Sequence, residues 1–553
     1  MLLSGSQIVM EELLAHGVDT AFGYPGGAAL NLYDALYEYR DRIRHIMSAH
    51  EQGACHAADG YARSGGKTGV VFATSGPGAT NLVTGIATAW MDSVPLVAIT
   101  ANVASNLIGR DAFQEIYITG ITMPITKHNF LVSDPADIAD VLRDAFRIAH
   151  SGRKGPVLVD ITKDATIGLS EYRPRPPETL PEPLCIDPAD TARVAALIDS
   201  AEQPVFYCGG GVIASDSTRW VRNIAAKAQI PVCHSMMGAG VIPHDDPLNL
   251  GMVGMHGTVA ANLAVDRCDL LLAVGVRFPD RVALNPGKFA HSAKIIHIDA
   301  DRSELNKNVK VEMALRCDLK QALSAIAEKV KGSLHPKWLE EIRGWKEECA
   351  SLPAADDALE PRSLIERISK LSGPEAIYVT DVGQHQMWAA QFLHHTEPKR
   401  FITSGGLGTM GFGYGAAIGA QLANPGKRIV HLTGDGSFHM NLNEGCTAVS
   451  YELPIITVIF NNKVLGMVYQ WQSQFYGQRY SATVPERKTD FVRMAEAFGA
   501  KGYSADTLPE FEECYRKALS EKGPVWIDCA IDKDARVLPM IPGGGTVEDM
   551  ITE

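Results

Sequence analysis

Short apolar runs, each bounded by glycine or proline, alternate along this chain with helical stretches. Val70–Thr74, Val94–Thr100, Pro156–Ile161, Ile429–Leu432 and Ile455–Phe460 are such runs. They are apolar almost throughout, as strands covered on both faces of a parallel α/β sheet must be. Residues 1–18 lack a basic region followed by an apolar core and a small-residue cleavage site. They predict an amphipathic helix with Ser6 as N-cap and Ile8, Val9, Leu13 and Leu14 on its inner face, not a leader.

Two seams interrupt the pattern. One is the proline-rich Glu171–Leu184; the other is the polar stretch Lys331–Asp357, which includes a short helical piece. They predict three doubly wound α/β domains, at residues 1–168, 188–330 and 358–553, each of a size usual for such units. The first and third echo each other. SGPGATNLVTGIATAWMDSVPLVAIT (75–100) parallels TGDGSFHMNLNEGCTAVSYELPIITVIF (433–460), and GPVLVDITKDA parallels GPVWIDCAIDKDA further on. Two such pairs in the same order predict duplicated sheets with a different domain inserted between them.

Composition narrows the class. A chain of 553 residues is too long for one core. Its 46% apolar and 21% charged residues are ordinary for a globular protein. A net charge of −13 argues against nucleic acid or an anionic membrane as main partner, and no apolar stretch is long enough to span a bilayer. The ten cysteines form no C-x-x-C pair, which predicts reduced, mostly buried thiols in a cytoplasmic protein.

The chemistry begins at HLTGDGSFHMNLNE (431–444), where Asp435 stands between Gly434 and Gly436 at the end of an apolar run. A solvated turn would look the same. Yet 24 residues, Ser437–Phe460, separate Gly436 from Asn461-Asn462, which close the next apolar run. One crossover helix between parallel strands then brings Asp435 and Asn462 to the same carboxyl edge. A carboxylate, an amide oxygen, phosphate oxygens and water form a hard octahedral shell suited to Mg²⁺. The glycines let backbone approach a diphosphate.

This spacing matches the motif of thiamine-diphosphate enzymes. Nearly the whole chain resembles the catalytic large subunits of the acetolactate synthase (acetohydroxyacid synthase) family. FGYPGGAALNLYDAL, AHEQGACHAADGYAR, TSGPGATN, LGMVGMHGT, VGVRFPDRV, GGLGTMGFG and QWQSQFYGQRY carry the likeness. The resemblance implies a pyrimidine-binding first domain, a central domain holding FAD and a third domain binding diphosphate and Mg²⁺. It implies a homodimer or tetramer with active sites between the first domain of one subunit and the third of another, and a separate small regulatory subunit. The implied reaction decarboxylates pyruvate through a thiamine-bound hydroxyethyl group and joins it to pyruvate or 2-oxobutanoate, opening branched-chain amino acid biosynthesis.

By the same resemblance, Glu51 is the carboxylate that activates the aminopyrimidine, and Met410 is the wedge that bends the coenzyme. Gln114 and Lys163 match active-site polar positions. Gly27, Gln384, His385, Gly408, Gly436, Ser437 and Met467 match coenzyme contacts. Asp435, Asn462 and the backbone oxygen of Val464 match the metal ligands. Arg281 and Trp471 match the second-substrate pocket, and Arg153, His256, Gly257, Arg277, Asp299 and Asp318 match FAD contacts. Pro279, Tyr414-Gly415 and Leu465 depart from the commonest pattern and bear on substrate preference and inhibitor sensitivity. The rival readings are another thiamine carboligase or decarboxylase, such as a flavin-free catabolic synthase, a sulfoacetaldehyde acetyltransferase or a pyruvate oxidase, and a non-catalytic scaffold paralogue. Retaining Glu51, Asp435 and Asn462 together argues against a scaffold, because an idle site has no need of so costly a polar set.

Overall fold

The structure, a computed structural model, describes residues 1–177, 180–350 and 359–553. Residues 178–179 and 351–358, within the two seams, lie outside the described residues, as does the expected start of the third domain at 358.

Three six-stranded sheets, parallel throughout, carry the fold. The first runs Arg44–Met47, Thr20–Gly23, Gly69–Ala73, Leu96–Asn102, Pro156–Thr162, His128–Val132. The third runs Phe401–Ile402, Ile377–Thr380, Ile429–Gly434, Ile456–Asn461, Val525–Ala530, Lys501–Ala505. Counted in each sheet's own chain order, both read 2-1-3-4-6-5, so the echo in the sequence is an echo of topology. The central sheet, between Pro204 and Arg316, reads 3-2-1-4-5-6, the order of dinucleotide-binding domains. Its strands Leu270–Val274 and Pro204–Cys208 are buried on both faces, as are the strands Gly69–Ala73 and Pro156–Thr162 of the first sheet, which carry apolar runs.

The first and third domains share one apolar cluster that extends from Phe22 and Leu158 to Ile377 and Trp526. Its seam is two small-residue helices, Glu51–Gly65 and Phe412–Ala423. A Cβ on Gly60 would meet the Ala416 carbonyl oxygen at 2.1 Å, and one on Gly419 would meet that of Ala57 at 1.8 Å. Only glycine lets the two backbones approach so closely.

Two expectations change. The first helix, Gly5–Ala15, is capped by Ser4, whose hydroxyl accepts from Gln7 N at 3.3 Å while Gln7 Oε1 accepts from Ser4 N at 3.1 Å. Ser6 lies inside the helix and donates to Thr166 O instead. The helical piece in the second seam spans Pro336–Ala350, and Trp338, Ile342 and Trp345 bury it against the central domain. Of the nine described cysteines, all free, six are buried, while Cys185 and Cys446 are exposed and Cys514 is half-buried. No helix among the described residues is long and apolar enough to cross a membrane.

Candidate active site

The sequence-selected residues cluster at the carboxyl ends of strands, where side chains and helix N-termini of a parallel sheet converge. In the third domain, Gln384 and His385 follow Ile377–Thr380, Gly408 and Met410 follow Phe401–Ile402, Asp435–Ser437 follow Ile429–Gly434, and Asn462 and Val464 follow Ile456–Asn461. The last two strands are neighbours in register, Gly434 opposite Phe460, so Asp435 and Asn462 leave the sheet side by side.

Asp435 is 5% exposed, and burial raises its carboxyl to about 6. Asn462 Nδ2 donates to Gln384 Oε1 at 3.3 Å, while its Oδ1 accepts from Val464 N at 3.2 Å. Gln384 Nε2 donates to Gln470 Oε1 and Ala535 O, so its amide is committed to holding Asn462 and the chain's last strand-to-tail segment. His385 is buried with Nε2 unpartnered, beside Gly434, and burial lowers its ring to about 4. Ser437 Oγ accepts from Gly411 N at 3.1 Å, tying the Met410 loop to the Asp435 turn. Met467 packs on the third-domain core from the helix Gly466–Phe475, which also carries Trp471, edge-on to Phe475.

In the first domain, Gly27, Glu51, Gln114 and Lys163 likewise follow strands. Glu51 is the first residue of its helix, where the helix dipole favours an acid, and is 9% exposed. Its Oε2 accepts from Asn81 Nδ2 at 2.9 Å, and Oε1 faces Gly78. Gly76, at φ +60°, opens the short helix that brings Asn81 there, and Gln114 lies against it. Gln114 is half-buried, whereas Gly27 and Lys163 are exposed.

The central-domain set has mixed surroundings. His256 is buried with Nδ1 unpartnered, and Gly257 turns tightly under Met252 O. Asp299 closes a strand, and burial first, then Asp301 and Glu304, raise it to about 7 against the lowering effects of the Asp301 N–H and Arg153. Asp318 caps the helix Leu319–Lys329 through Gln321 N. Arg153 pairs with Glu304 at 3.1 Å and Asp301 at 3.4 Å, and Arg277 donates to Met91 O, so both arginines hold the first domain to the second. Arg281 is exposed and pairs with Asp280.

Comparison with known proteins then supplies what geometry alone does not. The chain matches the models "Thiamine pyrophosphate enzyme, N-terminal TPP binding domain" over 3–121, "central domain" over 191–326 and "C-terminal TPP binding domain" over 381–529. It is 44% identical to the probable acetolactate synthase large subunit of Methanocaldococcus jannaschii, covering 99% of this chain and 95% of that one. It is 45% identical to the acetolactate synthase large subunit of Parasynechococcus marenigrum, over 99% and 91%. The acetolactate synthase of Mycobacterium bovis is 44% identical over the same shares. The chain belongs to the acetolactate synthase large-subunit family. It is an enzyme of the acetolactate synthase type, and its two outer domains are those that bind thiamine diphosphate.

Two of the departures from the family pattern are packing solutions. Tyr414 is buried, accepts from Trp526 Nε1 at 2.9 Å and stacks on His431. Gly415 is required because a Cβ would meet Gly53 O at 2.7 Å. Pro279 sits in a turn where its carbonyl accepts from Val282 N and Ala283 N. Leu465 does border the site: its Cδ2 lies 2.7 Å from where a Cβ of Gly436 would stand. Sequence reasoning missed Asn81, Gln470 and Glu444, which receives Ala49 N and His50 N just before Glu51. All three lay within quoted motifs but had no local mark of their role.

Proposed function

We propose that this protein makes 2-acetolactate from two pyruvates, and 2-aceto-2-hydroxybutyrate when 2-oxobutanoate is the acceptor, in branched-chain amino acid synthesis. The observation that carries this reading is the third-domain edge, where a buried Asp435, the Asn462 amide and an unpartnered His385 Nε2 lie at neighbouring strand ends. Among the described residues no cluster of three or more His, Cys, Asp or Glu could hold a metal by itself, so a cation here needs donors from its ligand. A magnesium diphosphate fits: Asp435, Asn462 Oδ1 and Val464 O would hold the ion, with phosphate oxygens and water completing a hard shell. Gly436 and the His385 ring suit the diphosphate oxygens, being an open backbone and a buried ring nitrogen without a partner, which donates when it carries the proton.

When bound, thiamine diphosphate supplies the carbon nucleophile and electron sink that pyruvate decarboxylation needs. Glu51 Oε1 is left to meet the aminopyrimidine, because Oε2 is occupied by Asn81. Met410, in a loop fixed at Ser437, supports the bend of the coenzyme. Gln114 and Lys163 stand at the first-domain edge to meet the substrate, Trp471 shapes the acceptor pocket, and Arg281 takes the acceptor carboxylate as a guanidinium can, bidentately. The exposed apolar side chains Phe113, Tyr117 and Met123 of the first domain, and Val468, Tyr476 and Val484 of the third, suit a second copy completing each site. The 3-2-1-4-5-6 sheet, with the acceptor Asp299 and the unpartnered His256 Nδ1 at its carboxyl edge, suits FAD, aided by Gly257 and the Arg153, Arg277 and Asp318 positions. A small regulatory subunit is the further expected partner.

The test is formation of acetolactate from pyruvate by the purified protein, with thiamine diphosphate, Mg²⁺ and FAD withheld one at a time. Product that depends on the first two supports the reading. Oxygen uptake with acetyl phosphate or acetate in place of acetolactate would assign an oxidase instead.

A further inference from the structure

A buried ion-pair network outside the residues assigned above joins the first domain to the loop that bears Met410. Residues 403–411, TSGGLGTMG, have no helix or strand to fix them, and Gly408 and Gly411 take φ values of +70° and +86°. Their backbone is held from outside. Gly406 N and Gly405 N donate to the two carboxylate oxygens of Asp92, at 2.7 and 3.2 Å. Asp92 ends the helix Val83–Asp92, and its side chain is 0% exposed. Arg63, from the helix that begins at Glu51, donates to Asp92 at 3.0 Å, to Asp59 at 3.1 Å and to Thr403 O at 2.8 Å. Thr88, four residues before Asp92 on the same helix, shares a 2.7 Å hydroxyl bond with Thr409, the neighbour of Met410. Gly411 N is then held by Ser437, and Gly411 O by Asn441 Nδ2.

A buried carboxylate is costly unless its lone pairs are used by charge or by N–H groups. Asp92 meets that condition by binding a loop backbone, where a carboxylate acceptor makes bonds stronger than neutral ones. There is no room for a bulkier arrangement, since a Cβ on Gly406 would meet Asp92 Oδ1 at 2.8 Å and Met91 O at 2.9 Å. We propose that Asp92, neutralised by Arg63, is a positioning residue that fixes Gly405 and Gly406 and thereby sets where Met410 stands against the coenzyme ring. The role rests on the coenzyme site proposed above. It differs from simple domain adhesion, because the hydrogen bonds that Asp92 accepts from the third domain, from Gly405 N and Gly406 N, both come from the loop and not from a packed helix.

The test uses Asp92→Asn, which keeps shape but cannot accept both glycine N–H groups and the guanidinium, and Thr88→Val, which removes the hydroxyl bond to Thr409 together with the bond to Thr84 O inside its own helix. Amide hydrogen exchange of the peptide spanning 403–411 is followed by mass spectrometry in the coenzyme-free full chain. Kd for thiamine diphosphate with Mg²⁺, pyruvate KM and kcat are then measured on the same preparations. The proposal expects exchange in 403–411 to quicken by about tenfold in Asp92→Asn, the effect of losing one charged hydrogen bond. It expects kcat to fall by about tenfold or more with KM and the coenzyme Kd within about threefold, since Asp435 and Asn462 are untouched. Thr88→Val should move the same readouts in the same direction by less. Unchanged protection of 403–411, or unchanged kcat in an Asp92→Asn protein with quickened exchange, overturns the role. If Asp92→Asn does not fold, the same readouts in Thr88→Val decide, and wild-type values there overturn it. Wild-type protein that binds no thiamine diphosphate would overturn the coenzyme site first, and this role with it.

Discussion

Glu51 Oε2 takes the Asn81 amide, so one oxygen remains for a proton. Glu51→Gln keeps the shape and the helix start but cannot exchange that proton. Coenzyme should still bind, while its C2 proton should exchange about 10²- to 10⁴-fold more slowly, as read by NMR after acid quench. An unaltered exchange rate would remove Glu51 from the chemistry. Trp471 lies nine positions beyond Asn462 on a helix that starts at the site's edge. Trp471→Leu should lower the preference for 2-oxobutanoate over pyruvate by about tenfold or more in a competition assay, because one methylene against an apolar wall carries roughly 1–3 kcal/mol. An unchanged product ratio would displace Trp471 from the pocket. Asp435 was legible because residue type and spacing both carry chemistry, whereas Glu51 was legible only through the family resemblance. Asn81, Glu444 and Asp92 were not, because their partners lie 30, 395 and 314 positions away, and only folding brings them together.

Parallel strands were legible as apolar runs because burial on both faces leaves no polar alternation. Helix ends were harder: Ser6 stands directly before the apolar stripe, but only Ser4 has a glutamine three residues on to complete a capping box, and Ser6 bonds Thr166 O instead. The helix Pro336–Ala350 read as part of a seam because Trp338, Ile342 and Trp345, which bury it, stand among lysines, glutamates and an arginine. The helix pair Glu51–Gly65 and Phe412–Ala423 is set by glycines whose role sequence alone did not reveal. Gly419→Ala should destabilise the chain by about 1–3 kcal/mol in urea unfolding, since a methyl must push Ala57 O from 1.8 Å. Wild-type stability there would mean that the seam is loose. At the end of the strand Lys294–Asp299, burial raises Asp299 to about 7, above the value near 4 of an unfolded chain. The folded state therefore holds this proton more tightly. Stability should fall as pH rises from about 4 to about 7 and level off above, by at most about 4 kcal/mol. Asp299→Asn should flatten that slope in coenzyme-free protein, and an unchanged slope would show that Asp299 ionises normally.

At the scale of the whole molecule, one chain combines two sheets of the same order with a third of dinucleotide-binding order. The echoing motifs made the duplication legible; the central sheet's order was not, because nothing in GGGVI or IIHIDAD says which strands are neighbours. Carboligation transfers no net electrons, so FAD bound to the central domain would act as a structural ligand. The protein reconstituted with 5-deaza-FAD should form acetolactate at a rate within a few-fold of that with FAD, and strict dependence on flavin reduction would contradict that. The central claim is that the carboxyl edge of the third sheet holds thiamine diphosphate through a metal at Asp435. Calorimetric titration of thiamine diphosphate into wild-type and Asp435→Ala protein, with and without Mg²⁺, tests it most directly. The account predicts Mg²⁺-dependent binding to the wild type and a loss of at least about a hundredfold in a variant that still unfolds cooperatively. Near-wild-type binding by Asp435→Ala, without raised Mg²⁺, would contradict it.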